Sequence, residues 1–427
     1  MGSVKDLIRD DSPGGRLYIP PTAMDFGRGA WQVSGRFSVG DLKELIPDTE
    51  IKDKAEALTM MVAHFFEWLE ESYPQIKTCY QGLLDKNGRI KDSRTLLDMG
   101  ETSNTIVMEL AHTPGSYSDG DLEKYRQALT SGELQCGVAD IESIFRHGFP
   151  LGSSTFKRIF ESVGMGGVYA ELATYDDTVE GLDHIRAQVA QWGVSKFPDL
   201  ERILKFSGLG TQIPNPGFVL KGMTYDTTTK FESAGDREIQ EDEAFRYSGL
   251  DRAGFEYWTT QLFPVMSQAQ IVFADDRGLM NMDGKAECVA YRRKPVITDF
   301  ACSPDENRLM LTIDIDGVTW AIPSNKEIQR AIFKREGVDA AKYEAIQRAG
   351  KAGDETQWKA YLTGVLQERG IDIREVAEHS CNLMSYAIGE VANRILGQNV
   401  FDAKPLETWV DEFLLYASKL EYQEEAQ

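Results

Sequence analysis

Charged residues with the spacing of a metal and phosphate site cluster in the last third of the chain. Asp283, Lys285 and Glu287 alternate with small residues, and Asp299 follows a short apolar run. The alternation between these segments predicts a β-hairpin that turns near Lys294. Because a hairpin brings its outer ends together, we expect Glu287 and Asp299 to hold one Mg²⁺, a cation that takes a few carboxylates together with nucleotide phosphates.

A second group of residues has the chemistry of a phosphate grip. Arg146 offers a planar guanidinium, and the turn Gly152-Ser153 offers backbone N–H groups and a hydroxyl. These donors suit a phosphomonoester. Neither pattern is specific by itself, because charged residues at strand ends are usually solvated and Gly-Ser turns are common.

Three lysines precede or follow elements that could position them. Lys5 lies in a short strand-like segment, and Lys230 follows a threonine-rich run typical of a β-strand. Lys54 opens a predicted helix of about twenty residues with an apolar stripe. Backbone N–H groups at a helix N-terminus favour anions, so Lys54 could face a phosphate there.

Composition limits the classes of function. The chain has 427 residues, with 42% hydrophobic and 27% charged residues and a formal net charge of −22. This balance is typical of a globular protein, and the negative charge argues against non-specific binding to nucleic acid or to an anionic membrane. With no long apolar run and five scattered cysteines, we expect a cytoplasmic protein without disulfides, a zinc site, a signal peptide or a transmembrane helix. An anionic substrate would then require a local basic cluster.

The order D-x-K-x-E, then Asp, then S-P-D-x-x-R resembles the signature of the phosphoribosylaminoimidazole-succinocarboxamide synthase (SAICAR synthetase) family. Other segments in the same order are similar to further motifs of that family. They are G-S-V-K-D from Gly2, R-F-S-V-G-D from Arg36, I-K-D-K-A-E-A-L from Ile51, E-S-I-F-R from Glu142, D-T-T-T-K-F-E from Asp226 and S-N-K-E-I-Q-R from Ser324.

The resemblance implies an α+β, SAICAR synthase-like fold of two lobes with ATP between them. On this basis residues 1–120 form an antiparallel β lobe that covers the nucleotide phosphates. Residues 121–330 form a mixed, ATP-grasp-like lobe with the ATP, Mg²⁺ and substrate site. Residues 331–427 are a helical C-terminal extension, expected to serve in packing or oligomer contact rather than in catalysis.

The resemblance also implies ATP-dependent ligation of L-aspartate to 5-amino-1-(5-phosphoribosyl)imidazole-4-carboxylate (CAIR), by a homo-oligomer such as a dimer. The implied roles fall into four sets. Lys285, Asp283 and Lys230 are catalytic; Lys5, Lys54, Glu287 and Asp299 bind the cofactor; Arg146, Ser153, Asp305 and Arg308 bind the substrate; Glu287 and Asp299 are the metal ligands.

Departures from the family pattern at Ser3, Thr227, Gly235 and Phe300 bear on the choice of substrate. Phe300 stands where a glutamate usually follows the metal-binding aspartate. These departures leave open a related ligase with a different nucleotide carboxylate or amino acid, and a non-catalytic nucleotide-binding scaffold. On fold, the alternative is a kinase-like α+β protein.

Overall fold

The computed structural model describes residues 5–8, 28–36, 49–172, 174–232, 237–353, 357–404 and 408–423, with the backbone alone at 5–8 and 28. Ser3 and Gly235, two of the departures from the family pattern, lie outside the described residues. The side chain of Lys5 also lies outside them, although its backbone belongs to the first strand.

An antiparallel sheet and one long helix form the N-terminal part. The strands, in the spatial order β1-β2-β5-β3-β4, are β1 (Lys5–Ile8), β2 (Arg28–Val33), β3 (Tyr80–Leu84), β4 (Ile90–Lys91) and β5 (Thr105–Glu109). The helices are α1 (Lys54–Ser72), α2 (Ser93–Asp98), α3 (Pro114–Tyr117) and α4 (Leu122–Ser131). Helix α1 buries the predicted apolar stripe, including Leu58 and Phe65, against the sheet.

Two further sheets carry the predicted site. Six strands pair in the order β11-β10-β7-β8-β15, with β6 beside β10, and four pair in the order β14-β13-β12-β9. Their bounds are β6 (Cys136–Val138), β7 (Glu142–Phe149), β8 (Phe218–Thr228), β9 (Leu279–Asn281), β10 (Asp283–Tyr291), β11 (Lys294–Thr298), β12 (Leu309–Ile315), β13 (Val318–Pro323), β14 (Ser418–Lys419) and β15 (Glu421–Tyr422). Among the described strands of these two sheets, all pairs are antiparallel except β8 with β15, so the larger sheet is mixed through its C-terminal strand β15.

Helices fill the space between and beyond these sheets. They are α5 (Ser154–Ser162), α6 (Gly166–Glu171), α7 (Tyr175–Trp192), α8 (Pro198–Phe206), α9 (Glu241–Ser248), α10 (Arg252–Tyr257), α11 (Phe263–Asp275), α12 (Lys326–Arg335), α13 (Val338–Ala352), α14 (Trp358–Glu368), α15 (Ile373–Leu396) and α16 (Val410–Leu414). A π-helical turn, Trp258–Leu262, joins α10 to α11. The α+β class predicted from the sequence is confirmed.

The main core is continuous from the N-terminal sheet to the C-terminal helices. Buried side chains of α1, α11, α12 and α15 belong to one cluster with strands of the first two sheets. The α5–α8 region has a smaller core of its own, built around Phe156, Phe160 and Leu204. Within the described residues, no helix combines the length and the apolar character needed to cross a bilayer. The domain boundaries at 120 and 330 stay predictions.

Candidate active site

Strand β10 positions the centre of the candidate site. Asp283, Lys285 and Glu287 alternate along it, so their side chains point to one face of the sheet. The hairpin predicted from the sequence is confirmed, with β10 paired to β11 and a turn at Arg292-Arg293, where both residues have positive φ. Glu287 pairs with Thr298 across the hairpin. Asp299 therefore follows immediately after the strand at the same end.

The loop between β11 and β12 packs directly on this face. It runs through Ser303 to Arg308, and Arg308 N donates to the Asp283 carbonyl at 2.9 Å. Gly284 permits the close approach, because a Cβ at that position would collide with the Asn307 amide. Asn307 is itself buried and donates to Gln270 at 2.7 Å. A glycine on β10 and a buried amide side chain of the loop therefore hold the loop against the strand.

Lys285 lies at the centre of a cluster of carboxylates. Its Nζ is 3.2 Å from Glu287, 2.8 Å from Glu306 and 4.0 Å from Asp299, and it also pairs with Glu142. Lys230 pairs with the other oxygen of Glu287. Two ammonium groups and four carboxylates therefore meet on one face of β10. We call this set the carboxylate–lysine cluster.

Burial and charge perturb the cluster strongly. Burial raises the pKa of the Glu287 carboxyl to about 8, and the neighbouring Asp299 adds to the rise, while Lys230 and Lys285 oppose it. The pKa of Lys285 is raised well above its usual value because Glu306, Glu287 and Glu142 outweigh the cost of burying the charge. Asp299 adopts a left-handed backbone with φ of 68°, a conformation that stores strain in a residue other than glycine. Such perturbed groups are typical of functional sites.

A second cluster of alternating charges lies at the other end of the same face. Arg146 Nε donates to Asp226 at 2.9 Å, and its Nη1 is 3.7 Å from Asp283. Arg308 pairs with Asp283 and with Glu327. We call Asp226, Arg146, Asp283, Arg308 and Glu327 the arginine cluster. The guanidiniums of Arg146 and Arg308, expected together from the resemblance, are thus brought to one carboxylate.

Ser153 lies beside this cluster at the start of α5. It is fully buried, and as the N-cap its hydroxyl accepts from Thr155 N at 3.4 Å. The preceding Gly152 carbonyl accepts from Arg308 Nη2 at 3.4 Å. The turn and the arginine predicted to bind one substrate group are therefore neighbours.

Lys54 and Asp305 form a separate buried pair. Lys54 is 0% exposed at the start of α1, and its Nζ is 3.3 Å from Asp305 Oδ1. Lys326 also donates to the Asp305 carbonyl at 3.3 Å. A direct contact of Lys54 with an ATP phosphate would require this pair to open. The predicted phosphate role of Lys54 and the substrate role of Asp305 stay predictions.

Four carboxylates of the two clusters were not predicted as site residues from the sequence. Glu142, Asp226 and Glu327 stand inside quoted motifs without an assigned role, and Glu306 occupies an unspecified position of S-P-D-x-x-R. Alternation along β7 and β8 was the available signal for Glu142 and Asp226. The sequence contains no signal for a site role of Glu306 or Glu327, because their contacts depend on how the loop and α12 pack against β10.

Comparison with known proteins gives one clear sequence relative. No family model matches the chain. A curated protein of Archaeoglobus fulgidus, named "Putative phosphoribosylaminoimidazole-succinocarboxamide synthase", is 26% identical over 336 residues, which cover 78% of this chain and 80% of the relative.

Solved structures of low sequence identity are also similar to this chain. "SAICAR-synthase from Saccharomyces cerevisiae complexed SAICAR" has a TM-score of 0.44 at 11% identity, covering 93% of this chain and 94% of that one. The phosphoribosylaminoimidazole-succinocarboxamide synthase from Ehrlichia chaffeensis has a TM-score of 0.42 at 12% identity, covering 77% and 89%. With the sequence relative matched over four fifths of its length, the resemblance to the phosphoribosylaminoimidazole-succinocarboxamide synthase family that the sequence predicted is confirmed.

Proposed function

We propose that the chain is an ADP-forming ligase of de novo purine biosynthesis that joins L-aspartate to the carboxylate of CAIR to give SAICAR. The observation that carries the proposal is the face of β10, where Asp283, Lys285 and Glu287 join the carboxylate–lysine cluster to the arginine cluster. The first cluster suits phosphoryl transfer and the second suits a polar substrate. The name of the Archaeoglobus fulgidus relative supports the same activity.

The chemistry has to overcome the poor electrophilicity of a carboxylate. A carboxylate oxygen of CAIR attacks the γ-phosphorus of ATP, ADP leaves, and an acyl phosphate forms. The amine of aspartate then attacks the acyl carbon, phosphate leaves, and the nitrogen loses a proton. Because phosphoryl transfer depends mainly on positioning and charge stabilisation, Lys230 and Lys285 would neutralise the charge that develops on the transferred group.

Glu287 and Asp299 fit Mg²⁺ by their donor chemistry. Both supply carboxylate oxygens, the ligand type that Mg²⁺ prefers. Burial and the neighbouring Asp299 raise the pKa of Glu287, and a bound cation would stabilise the ionised form of both carboxyls. In the part of the chain that the structure describes, no group of three or more Asp, Glu, His or Cys side chains is arranged to hold a metal ion. Two carboxylates suit Mg²⁺ only if ATP phosphates complete its coordination, and when bound it would neutralise those phosphates.

One observation favours a related second function. Phe300 is 1% exposed, so the position after Asp299 supplies buried apolar surface in place of a carboxylate. Loss of an acidic group there could change recognition of the amine, and the chain would then join a different amino acid to the same acyl phosphate. The non-catalytic scaffold is disfavoured because both proposed Mg²⁺ ligands and both lysines are present and clustered.

The test is ADP release by the purified protein with Mg-ATP and CAIR, with and without L-aspartate. We expect ADP release to need both substrates. The rate should fall at least about a hundred-fold in Glu287→Gln, which removes a proposed Mg²⁺ ligand, and in Arg308→Ala, which removes a proposed substrate-binding charge. Glu378→Gln, the same change on an exposed helix position, is the control. Release that needs CAIR but is indifferent to aspartate supports the second function. ATP binding without any release in the presence of CAIR contradicts both.

A further inference from the structure

Lys230 lies just beyond the end of a strand. Strand β8 ends at Thr228, and Lys230 follows two residues later, with its ammonium group paired with Glu287. The ladder of β8 with β7 also ends at Thr228. The backbone N–H of Lys230 therefore needs a partner from outside the sheet, and that partner decides where the lysine side chain starts.

Asp140, in the connection between β6 and β7, is this partner. Its Oδ1 accepts from the backbone N–H of Lys230 at 3.0 Å and from that of Phe231 at 2.8 Å. The side chain of Asp140 is 0% exposed. Hydrogen bonds to an ionised acceptor are roughly twice as strong as neutral ones, and burial strengthens them further. Asp140 is therefore a firm anchor for the backbone that carries Lys230.

Arg126, on α4, fixes the orientation of this carboxylate. Its Nε donates to Asp140 Oδ2 at 2.6 Å, and its Nη2 contacts the same oxygen. The guanidinium lies 3.6 Å from the ring centre of Tyr247, and Nη2 also donates to Glu232 at 3.3 Å. The two oxygens of Asp140 thus have separate partners, because one holds the backbone at Lys230 and the other holds the guanidinium.

The same short stretch of chain contacts both lysines of the carboxylate–lysine cluster. Glu142, two residues after Asp140, pairs with the ammonium group of Lys285. Asp140 instead contacts the backbone of Lys230, so its effect on the reaction has to pass through that residue. A fixed geometry of this kind matters in phosphoryl transfer, which depends mainly on positioning and charge stabilisation.

We propose that Asp140, oriented by Arg126, is a positioning residue that holds Lys230 where it can neutralise the transferred phosphoryl group. A misplacement of about 1 Å in such a group can lower a rate about a hundred-fold. The inference rests on the proposed function for the role of Lys230. The anchoring of the Lys230 backbone does not depend on the substrate.

A double-mutant cycle on ADP release, with saturating Mg-ATP, CAIR and aspartate, tests the inference. Asp140→Ala should lower kcat at least about ten-fold in the otherwise wild-type chain. In Lys230→Met the same change should lower kcat less than about two-fold, because no ammonium group is left to position. Asp140→Asn, which keeps an acceptor for the two N–H groups, should recover part of the rate.

Asp251→Ala is the matched control. Asp251 also accepts from a backbone N–H, that of Gly254, and also pairs with a cation, Lys294, but it lies at the start of α10. Its loss should leave kcat unchanged. Equal fold-changes from Asp140→Ala with and without Lys230 would overturn the inference, and so would an unchanged kcat in Asp140→Ala.

Arg126→Lys covers the case in which Asp140→Ala does not fold. It keeps a positive charge beside Asp140 but loses the planar guanidinium, so kcat should fall about three-fold or more when Lys230 is present. In Lys230→Met the change should again have little effect. A fall of the same size in both backgrounds would contradict the proposal.

A measurement without substrates separates this failure from failure of the proposed function. If the wild type releases no ADP, the proposed function is wrong, and acetylation by acetic anhydride, followed by peptide mass spectrometry, still tests the anchor. Lys230 should react at least about five-fold faster in Asp140→Ala, because its ammonium group leaves Glu287. Lys294, whose side chain is 57% exposed, should react equally in both proteins. An unchanged rate at Lys230 would show that Asp140 does not anchor it.

Discussion

At the scale of single residues, Lys285 depends on carboxylates that come from three different elements. Glu306 approaches from the loop at 2.8 Å, Glu287 lies on the same strand at 3.2 Å, and Glu142 lies on β7. We expect Glu306→Gln to lower the rate of ADP release about ten-fold, since a displaced ammonium group stabilises the transferred phosphoryl group poorly. The unfolding midpoint should change little.

Steady-state kinetics with saturating substrates, beside a thermal melt, measures this effect. Glu378→Gln is again the matched control, and Glu306→Asp should recover part of the rate because it restores the charge. An unchanged kcat in Glu306→Gln would show that Lys285 is positioned without Glu306.

The sequence identified the cations of the site better than their partners. Lys285, Arg146 and Arg308 stand in recognisable motifs, and the structure brings them to one face of β10. Their partners Glu306 and Glu327 come from separate elements, so only tertiary packing reveals the pairs. A motif contains the residue types that a reaction needs, so those residues can be predicted from the sequence. A counter-ion can come from any element that packs nearby, so it cannot.

At the scale of elements, helix α1 was well predicted, because its apolar stripe has helical spacing. The environment of its first residue was not predictable. Lys54 is covered where α1 meets the loop carrying Asp305, and the Ser385 hydroxyl of α15 donates to the Lys52 carbonyl at 3.0 Å. The apolar periodicity of α1 predicts its buried face, but it does not indicate which distant helix packs against its N-terminal end.

Helix α1 also carries a titratable group that links its packing to pH. Burial, together with the smaller effects of Arg277 and Arg94, lowers the pKa of His64 to about 4. Between this value and the ordinary pKa of 6.5, the unfolded chain binds more protons than the folded one. The contribution of His64 to stability is therefore present above pH 6.5 and is lost as the pH falls towards 4, by on the order of 3 kcal/mol.

Urea unfolding at pH 7 and at pH 4.5, for the wild type and His64→Gln, measures this contribution. The stability lost between the two pH values should be smaller in the variant. His379→Gln, at an exposed position of α15, is the control and should behave as the wild type. Equal losses in all three proteins would show that folding does not lower the pKa of His64.

At the scale of the whole molecule, the C-terminal helices belong to the main core. Met384, Ile388 and Val391 of α15 are at most 1% exposed, in the same cluster as Phe65 of α1 and Val289 of β10. The bounds and the packing role of the extension stay predictions. The oligomeric state and the cytoplasmic location stay predictions, because they concern more than one chain or the cell.

Because the core is continuous, α15 should unfold together with the rest of the chain, and a core mutation in α15 tests this. Met384→Ala should destabilise the protein by about 2–5 kcal/mol, the usual cost of truncating a buried methionine. Because the cavity opens beside α1 and α12, we expect one cooperative transition to shift as a unit, including the signal of Trp68 on α1. Asn382→Ala, on the exposed side of the same helix, should shift it by less than about 0.5 kcal/mol. If Met384→Ala instead produces an early transition that leaves the Trp68 signal in place, α15 unfolds separately, and the extension is an appended unit.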